Sequence, residues 1–576
     1  MREEAHENRQ NFRGIFAKTF RALSRASLVW ALLGLPSGIR GADFYPRQAA
    51  VDILHYRFEL QLSDGSDEIV GRALLRVQFL ASGSEELQLD LIGRAPGNSA
   101  TGMTVTSVQE DGRPSQFTHR SQRLSIRLQT PSQAGQERRF QVDYRGVPAD
   151  GLIISDNKYG QRTFFGDNWP DRARHWLPVI DHPYDKATCE FIVTAPEHYQ
   201  VVANGALLEE SGLPGGLRRT HWRTAAPLAS KVMVIGAARF AVQHLETLRG
   251  QVPIQSWAYP QDREAAFRDL AQARPIVEFF ESRLGPYPYA KLANVQSRTR
   301  FGGMENAGSI FYAENVFSNG SDSQGPANEN LIAHEIAHQW FGDSVTEADW
   351  HHVWLSEGFA TYLAALYLEH RYGKGRLAET MDRTRRRVVR YAQRRPESAV
   401  IDSSIRDLNR LLSPNSYQKG AWVLHMLRRH LGEEDFWGSL KEFYRRFRDG
   451  NALSTDFQRV VEEKSGQQMD WYFQQWLHRA GHPKLQGSWS YDAESRSLQL
   501  ALEQTSDGPP FVFGLDVAIS LHGERPEVRH SVPIDRKLSR FSWTLAATPQ
   551  SVRLDPDVWL LMESEGVSRK AAKNAK

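Results

Sequence analysis

The 576-residue chain has a single cysteine, Cys189. An intramolecular disulfide is therefore impossible and no thiolate zinc finger can form, since each needs at least two thiols. A lone cysteine is by default a small, buried apolar side chain. An excess of one charge is also missing: 71 Lys and Arg against 68 Asp and Glu leave a net charge of +3. That is too little, at this length, for nucleic-acid binding to be the main task. Internal repeats are absent. The apolar run Ala26–Leu35 (ASLVWALLGL) is ten residues long, and about 20 are needed to span a bilayer.

That run follows Arg2, Arg9, Arg13, Lys18, Arg21 and Arg25 and stops at Pro36. A basic stretch followed by a short apolar one predicts a signal peptide over residues 1–42, and hence export to a periplasmic or extracellular location. Gly41-Ala42 is a small pair suited to cleavage, although Arg40 at the −3 position is unfavourable. An amphipathic helix or an uncleaved membrane anchor stays open, as does a cytoplasmic location. Lipid attachment at a processed cysteine is excluded, because none lies near the run.

From Asp43 the text alternates and is rich in β-branched residues (HYRFELQL, ALLRVQFL, RRFQVDYRG, CEFIVTAP). It predicts an N-terminal β domain over 43–246, with Asn204-Gly205 as a hairpin turn. The aromatic, Pro-rich segment 164–188 interrupts it, and reads either as a functional loop or as a plug between domains. Near Gln261 the period becomes helical and stays mostly so to about Arg479, with Thr455 and Gln458 as a capping box and Gly342 as a helix stop. This part, 247–483, is a mostly α domain. Alternation returns over 484–563 as a small β-sandwich, and residues 564–576 read as a disordered basic tail.

One stretch carries chemistry. His334, Glu335 and His338 form H-E-x-x-H, and Glu357 follows after eighteen residues. On an α-helix, positions four apart differ by about 40° and about 6 Å, so both imidazoles leave one face and can share a metal ion. Glu335 lies beside them, within reach of a water that the metal activates. Glu357, in the following helix, can supply a third ligand. Two His and one Glu leave a coordination position open, as in catalytic rather than structural zinc sites. Upstream, Gly302, Gly303, Met304, Glu305 and Asn306 offer an edge whose glycines let a ligand's backbone approach closely.

H-E-x-x-H with the distant Glu357 and with G-G-M-E-N upstream resembles the M1 zinc aminopeptidases of the gluzincin clan. ARHWLPVIDHPYDKAT, the Pro286-Tyr287-Pro288 segment, Tyr417-Gln418-Lys419-Gly420 and Gln475–Pro483 extend the likeness. It implies a multidomain α+β protein: a β-saddle N-terminal domain, a thermolysin-like catalytic domain and a C-terminal β-sandwich, without the large helical cap of many members. It also implies one Zn2+ per chain, held by His334, His338 and Glu357, with Glu335 as general base and the Tyr417 phenol as oxyanion donor. Glu305 would bind the α-ammonium of peptide substrates. The family usually offers a Gln before the Ala-Arg pair for the same amine; counting back from Ala173-Arg174, that position falls on Asp167. Alternatives stay open: a gluzincin endopeptidase, a bifunctional epoxide hydrolase/aminopeptidase, or a non-catalytic peptide-binding relative. Side-chain preference, physiological substrate and oligomeric state are not written in the sequence.

Overall fold

Alternating burial builds the first two hundred described residues into sheets. In Val51–Gln61 the residues Val51 and Ile53, then Tyr56, Phe58 and Leu60, point inward. The change from odd to even positions occurs at a bulge between Ile53 and His55, where an extra residue resets the face. This strand pairs antiparallel with Ile69–Phe79 and parallel with Lys186–Pro196, where Phe58 lies opposite Phe191. They form the centre of a nine-stranded sheet, and a four-stranded sheet contains Arg162–Gly166 and Ile235–Ala238.

The structure is a computed structural model, and it describes residues 43–94, 100–317, 328–523 and 527–570. The predicted signal segment 1–42 lies outside the described residues. From Asp43 onward the chain is one compact unit. Among the described residues no helix is long and apolar enough to cross a membrane.

Asn204-Gly205 is not a hairpin turn. Gln200–Ala203 and Ala206–Leu213, on either side, enter different sheets. Asn204 Nδ2 instead donates to Val232 O and Ala307 O, both at 2.8 Å, and its Oδ1 accepts from Val234 N at 2.6 Å. Gly205 is needed because its φ is +83° and a Cβ would meet Arg223 O at 2.0 Å. The turn signal was real, but it marks a crossing between sheets. Segment 164–188 proves to be a plug: Trp169, Trp176, Leu177 and Ile180 are all buried.

A mixed five-stranded sheet follows, in the order Ala241–His244, Ile254–Ala258, Leu292–Ser297, Ser309–Ala313, Gly303–Met304. The short strand Gly303–Met304 is therefore at an edge. Helices occupy most of the chain from Glu329 to Phe473. Helix Trp354–Tyr372 is buried over most of its circumference, as an interior helix must be. The predicted capping box is displaced by two residues: Leu453, not Thr455, is the N-cap of helix Ser454–Ser465, and Asp456 Oδ2, not Gln458, accepts from the Leu453 N–H at 2.9 Å. After Gln474–His478 the described elements are strands in a four-stranded and a three-stranded sheet. The tail prediction is corrected as well. Glu563–Arg569 is a strand pairing parallel with Lys484–Asp492, where Val567 packs beside Gly487. Residues 571–576 lie outside the described residues.

Candidate functional site

Helix Glu329–His338 carries His334, Glu335 and His338 at its C-terminal end. It stops at His338, four residues before the expected Gly342. Gly342, at φ +124°, has another duty: a Cβ there would sit 2.4 Å from Ser356 Oγ and 2.9 Å from His338 Nδ1. The glycine lets Ser356 approach His338, whose Nδ1 lies 3.0 Å from Ser356 Oγ and 3.2 Å from Phe341 O. Those contacts orient the ring and leave Nε2 pointing the other way.

Glu357 lies in the first turn of helix Trp354–Tyr372. His334 Nε2 and His338 Nε2 are 3.0 Å apart, and Glu357 Oε2 lies 3.4 Å and 3.3 Å from them. Ligand bonds of about 2.0–2.1 Å in tetrahedral geometry would place donor atoms about 3.3 Å apart. The triangle thus fits one small divalent cation. Charge points the same way. Glu335 is held well above the ordinary carboxylate range by burial and by Glu305 and Glu357, against the pull of His338. Asp343 is also raised, by burial and by Glu305. His338, which burial alone would lower, is pushed up to about 10 by Glu305 and Glu357. So many buried carboxylates around three metal-type donors form a site short of positive charge, and a dication would supply it.

The glycine-rich edge meets this helix closely. A Cβ on Gly303 would lie 2.3 Å from Glu335 Oε1 and 2.4 Å from its Cδ, so the Glu335 carboxylate rests against a bare Cα. Gly302 is exposed and Gly303 half-buried at the open edge, while Met304 is buried and paired with Phe311. Glu305 follows, 5% exposed, with Oε1 buried and without a hydrogen-bond partner among the described residues. Its carboxylate, that of Glu335 and a nitrogen of His338 lie within 4.8 Å of one another. The side-chain N and O of Asn306 are likewise buried without partners among the described residues.

Tyr417 is in the π-helical turn Asn415–Lys419. Its ring stacks on His334 at 5.9 Å. Burial and the nearby Glu357 and Glu305 carboxylates raise its phenol well above its usual value, so it stays protonated. Two glycines bring it there: a Cβ on Gly358 would lie 2.9 Å from Gly420 Cα. Lys419 Nζ then ties the turn to Arg479 O and Gly481 O, at 3.2 and 3.0 Å. The Tyr417–Gly420 and Gln475–Pro483 segments are therefore one device.

Asp167 does not join the group. It is wholly buried: Oδ2 accepts from Arg300 N at 3.0 Å and Thr299 Oγ1 at 3.4 Å, and Arg172 Nη1 lies 3.5 Å from Oδ1. The expectation that it meets a substrate amine is corrected: it fastens the turn leading into Phe301 and Gly302. Sequence reasoning also missed Gln339, whose Nε2 donates to Glu305 O at 2.6 Å and whose Oε1 accepts from Gly308 N at 2.8 Å. The buried pair Lys231–Glu347, 2.5 Å apart, was missed too. Gln339 directly follows the H-E-x-x-H run, which was the available signal; Lys231 and Glu347 had none.

Comparison with known proteins matches two segments to family descriptions: residues 53–231 to the peptidase M1 N-terminal domain and 268–476 to the peptidase family M1 domain. Aminopeptidase M1-D of Oryza sativa subsp. japonica is 27% identical over 365 residues, 61% of this chain and 41% of its own. Glutamyl aminopeptidase of Sus scrofa is 25% identical over 60% of this chain and 38% of its own. The chain thus spans about half, or less, of the curated relatives it matches. Among solved structures, Legionella pneumophila aminopeptidase A in complex with aspartic acid is similar with a TM-score of 0.76, at 18% identity, covering 91% of this chain and 61% of that one. A mutant M1 zinc metallopeptidase from Deinococcus radiodurans has a TM-score of 0.61 at 23% identity, covering 75% and 95%. With the M1 descriptions matching more than half of its residues on both sides of the metal-type triad, the chain belongs to peptidase family M1.

Proposed function

We propose that the chain is a zinc-dependent aminopeptidase that removes the N-terminal residue from peptides. His334, His338 and Glu357 would hold one zinc ion. Bound there, zinc supplies Lewis acidity toward water and the scissile carbonyl. Glu335 takes a proton from the attacking water on its carboxylate and passes it to the departing amine. The Tyr417 O–H, protonated and stacked over His334, donates to the oxygen that gains charge. Gly302 and Gly303 present an unpaired edge to the substrate backbone.

The observation that carries the exopeptidase reading is the unpartnered buried Oε1 of Glu305 within the same small cluster as Glu335. A buried carboxylate oxygen without a donor is costly. A substrate α-ammonium, with a pKa near 8, supplies three donors and sets the scissile bond one residue away. The gluzincin endopeptidase alternative gives that oxygen no partner. The finer architecture belongs to the same proposal: a saddle-like β domain to about residue 246, a thermolysin-like domain to about 483 and a β-sandwich beyond it. So does export.

The deciding experiment compares free and N-acetylated peptides, with and without chelator, for wild type and Glu305→Ala. Free peptides should be cleaved one residue at a time by a chelator-sensitive activity, and N-acetylated ones poorly. Glu305→Ala should lose at least about tenfold in kcat/KM, from charge-assisted bonds worth about 1.5–3 kcal/mol. Equal cleavage of acetylated and free peptides would hand the site to the endopeptidase reading.

A further inference from the structure

Gln339 directly follows His338, ends helix Glu329–His338 and is wholly buried. An amide side chain has two N–H donors and an oxygen that accepts twice. All four directions are engaged here. Nε2 donates to Glu305 O at 2.6 Å and to Asp343 Oδ2 at 3.0 Å. Oε1 accepts from Gly308 N at 2.8 Å and lies 3.2 Å from the Tyr287 O–H, which also faces Lys291 O at 3.0 Å. The amide can face only one way, because Glu305 O only accepts and Gly308 N only donates.

Glu305 and Gly308 are the first and last residues of the connection between strands Gly303–Met304 and Ser309–Ala313. One amide therefore grips both ends of that turn. The turn is also held from another side: Asn204 Nδ2 donates to Ala307 O at 2.8 Å and Lys291 Nζ to Gly308 O at 3.1 Å. Those two side chains come from beside the strands Gln200–Ala203 and Leu292–Ser297. Gln339 comes from the helix that carries the two histidines. A single hydrogen-bonded side chain thus spans from the Glu305 backbone to the residue beside His338.

We propose that Gln339 is a positioning residue that sets the register of cleavage. This role rests on the aminopeptidase reading of the site and adds the means by which the one-residue spacing is kept. By fixing the Glu305 backbone relative to His338, the amide sets the distance from the ammonium-binding carboxylate to the metal-type triad. That distance decides which peptide carbonyl reaches the triad when the α-amine is bound. Without the amide, Glu305 O and Gly308 N lose buried partners, and the turn relaxes toward Asn204 and Lys291. A shift near 1 Å from the productive geometry costs about 10²-fold. The loss is selective. An N-acetylated peptide has no ammonium, so it gains nothing from Glu305 and loses little when Glu305 moves.

The test compares wild type, Gln339→Met and Gln339→Asn, with Asn204→Ala as a control that loosens the same turn from the other side. Methionine keeps the length without the hydrogen bonds, and asparagine keeps the amide one methylene short. For each protein, kcat/KM is measured on a free peptide and on its N-acetylated form, with zinc content and melting temperature alongside. Both Gln339 variants should lose at least about tenfold on the free peptide and less than about threefold on the acetylated one. Their zinc content should match wild type. Asn204→Ala should melt lower and keep the wild-type ratio of the two rates. If wild type itself cleaves both peptides equally, the aminopeptidase reading fails and the register role with it. If wild type discriminates but the Gln339 variants lose both rates in proportion, the reading stands and the register role is overturned, leaving a structural clamp. Loss of zinc from folded Gln339→Met overturns it too, since the amide would then serve the histidine helix. Where Gln339→Met fails to fold, the same ratio in Gln339→Asn decides.

Discussion

Glu335 is positioned by an absence. Its carboxylate rests on Gly303, where a Cβ would lie 2.3–2.6 Å from Oε1, Cδ and Cγ. The atoms it meets form the movable end of a side chain, so Gly303→Ala should fold and keep the proposed zinc while pushing aside Glu335, the proposed base. A displacement near 1 Å from the productive geometry costs about 10²-fold. Gly303→Ala is therefore expected to lose about 10–10²-fold in kcat with its zinc content unchanged; near-full kcat would show that Glu335 tolerates the shift. H-E-x-x-H named Glu335 and the G-G-M-E-N run named Gly303, but their contact was not legible, because 31 residues separate them in sequence. Asp167 is the opposite case. Its place in the motif suggested a ligand for the substrate amine, while burial under Thr299 and Arg300 gave it a structural task.

At the scale of elements, the site is held by short connections more than by long helices. The segment from Asp43 to Gln48 crosses onto the Ala348–Trp350 turn, where Asp43 N donates to Asp349 Oδ2 at 2.7 Å and Arg47 Nη2 to Ala348 O at 2.7 Å, and it allows a test of pH dependence. Burial raises the Asp43 carboxyl, but hydrogen bonds from His182 and Trp350, with Arg47 nearby, more than offset that and hold it at about 2 against an ordinary 3.8. A neutral His182 suffices, since its Nε2–H can donate. The native state therefore binds fewer protons than the unfolded chain between these values, and stability falls as pH drops through them. Above about pH 4 the contribution is fully present, on the order of 2 kcal/mol. Asp43→Asn should be less stable than wild type by about that amount near neutrality, and the gap should close between pH 4 and 2 in denaturant titrations. A gap independent of pH would mean that the side chain acts by shape alone. The placement of this segment was invisible in the sequence, because its partners His182, Ala348, Asp349 and Trp350 lie far from it along the chain.

On the scale of the whole molecule, the triad joins two helices, and His338, Glu357 and the nearby carboxylates are buried, with His334 half-buried, around the place proposed for a cation. Removing it should be felt globally. A ligand present at about 1,000 times its Kd stabilises by about 4 kcal/mol, which corresponds to a melting shift of several degrees. Chelation should lower the melting temperature by that much, and zinc should restore it; an unchanged melt would show that these residues do not bind the ion in the folded chain. Local periodicity and motif spacing pointed to the order β, α, β along the chain, the helical H-E-x-x-H face, and Glu357 as a candidate third donor, because each depends on residues near one another in sequence. The tertiary structure decided the rest. It placed Asn204-Gly205 at a crossing between sheets, enclosed Asp167, turned Glu563–Arg569 into a paired strand and set Tyr417 over His334 through the Gly358–Gly420 contact. The physical reason is common to all four: backbone partners, burial and close approach are supplied by segments distant in sequence, and no local pattern encodes which segment arrives.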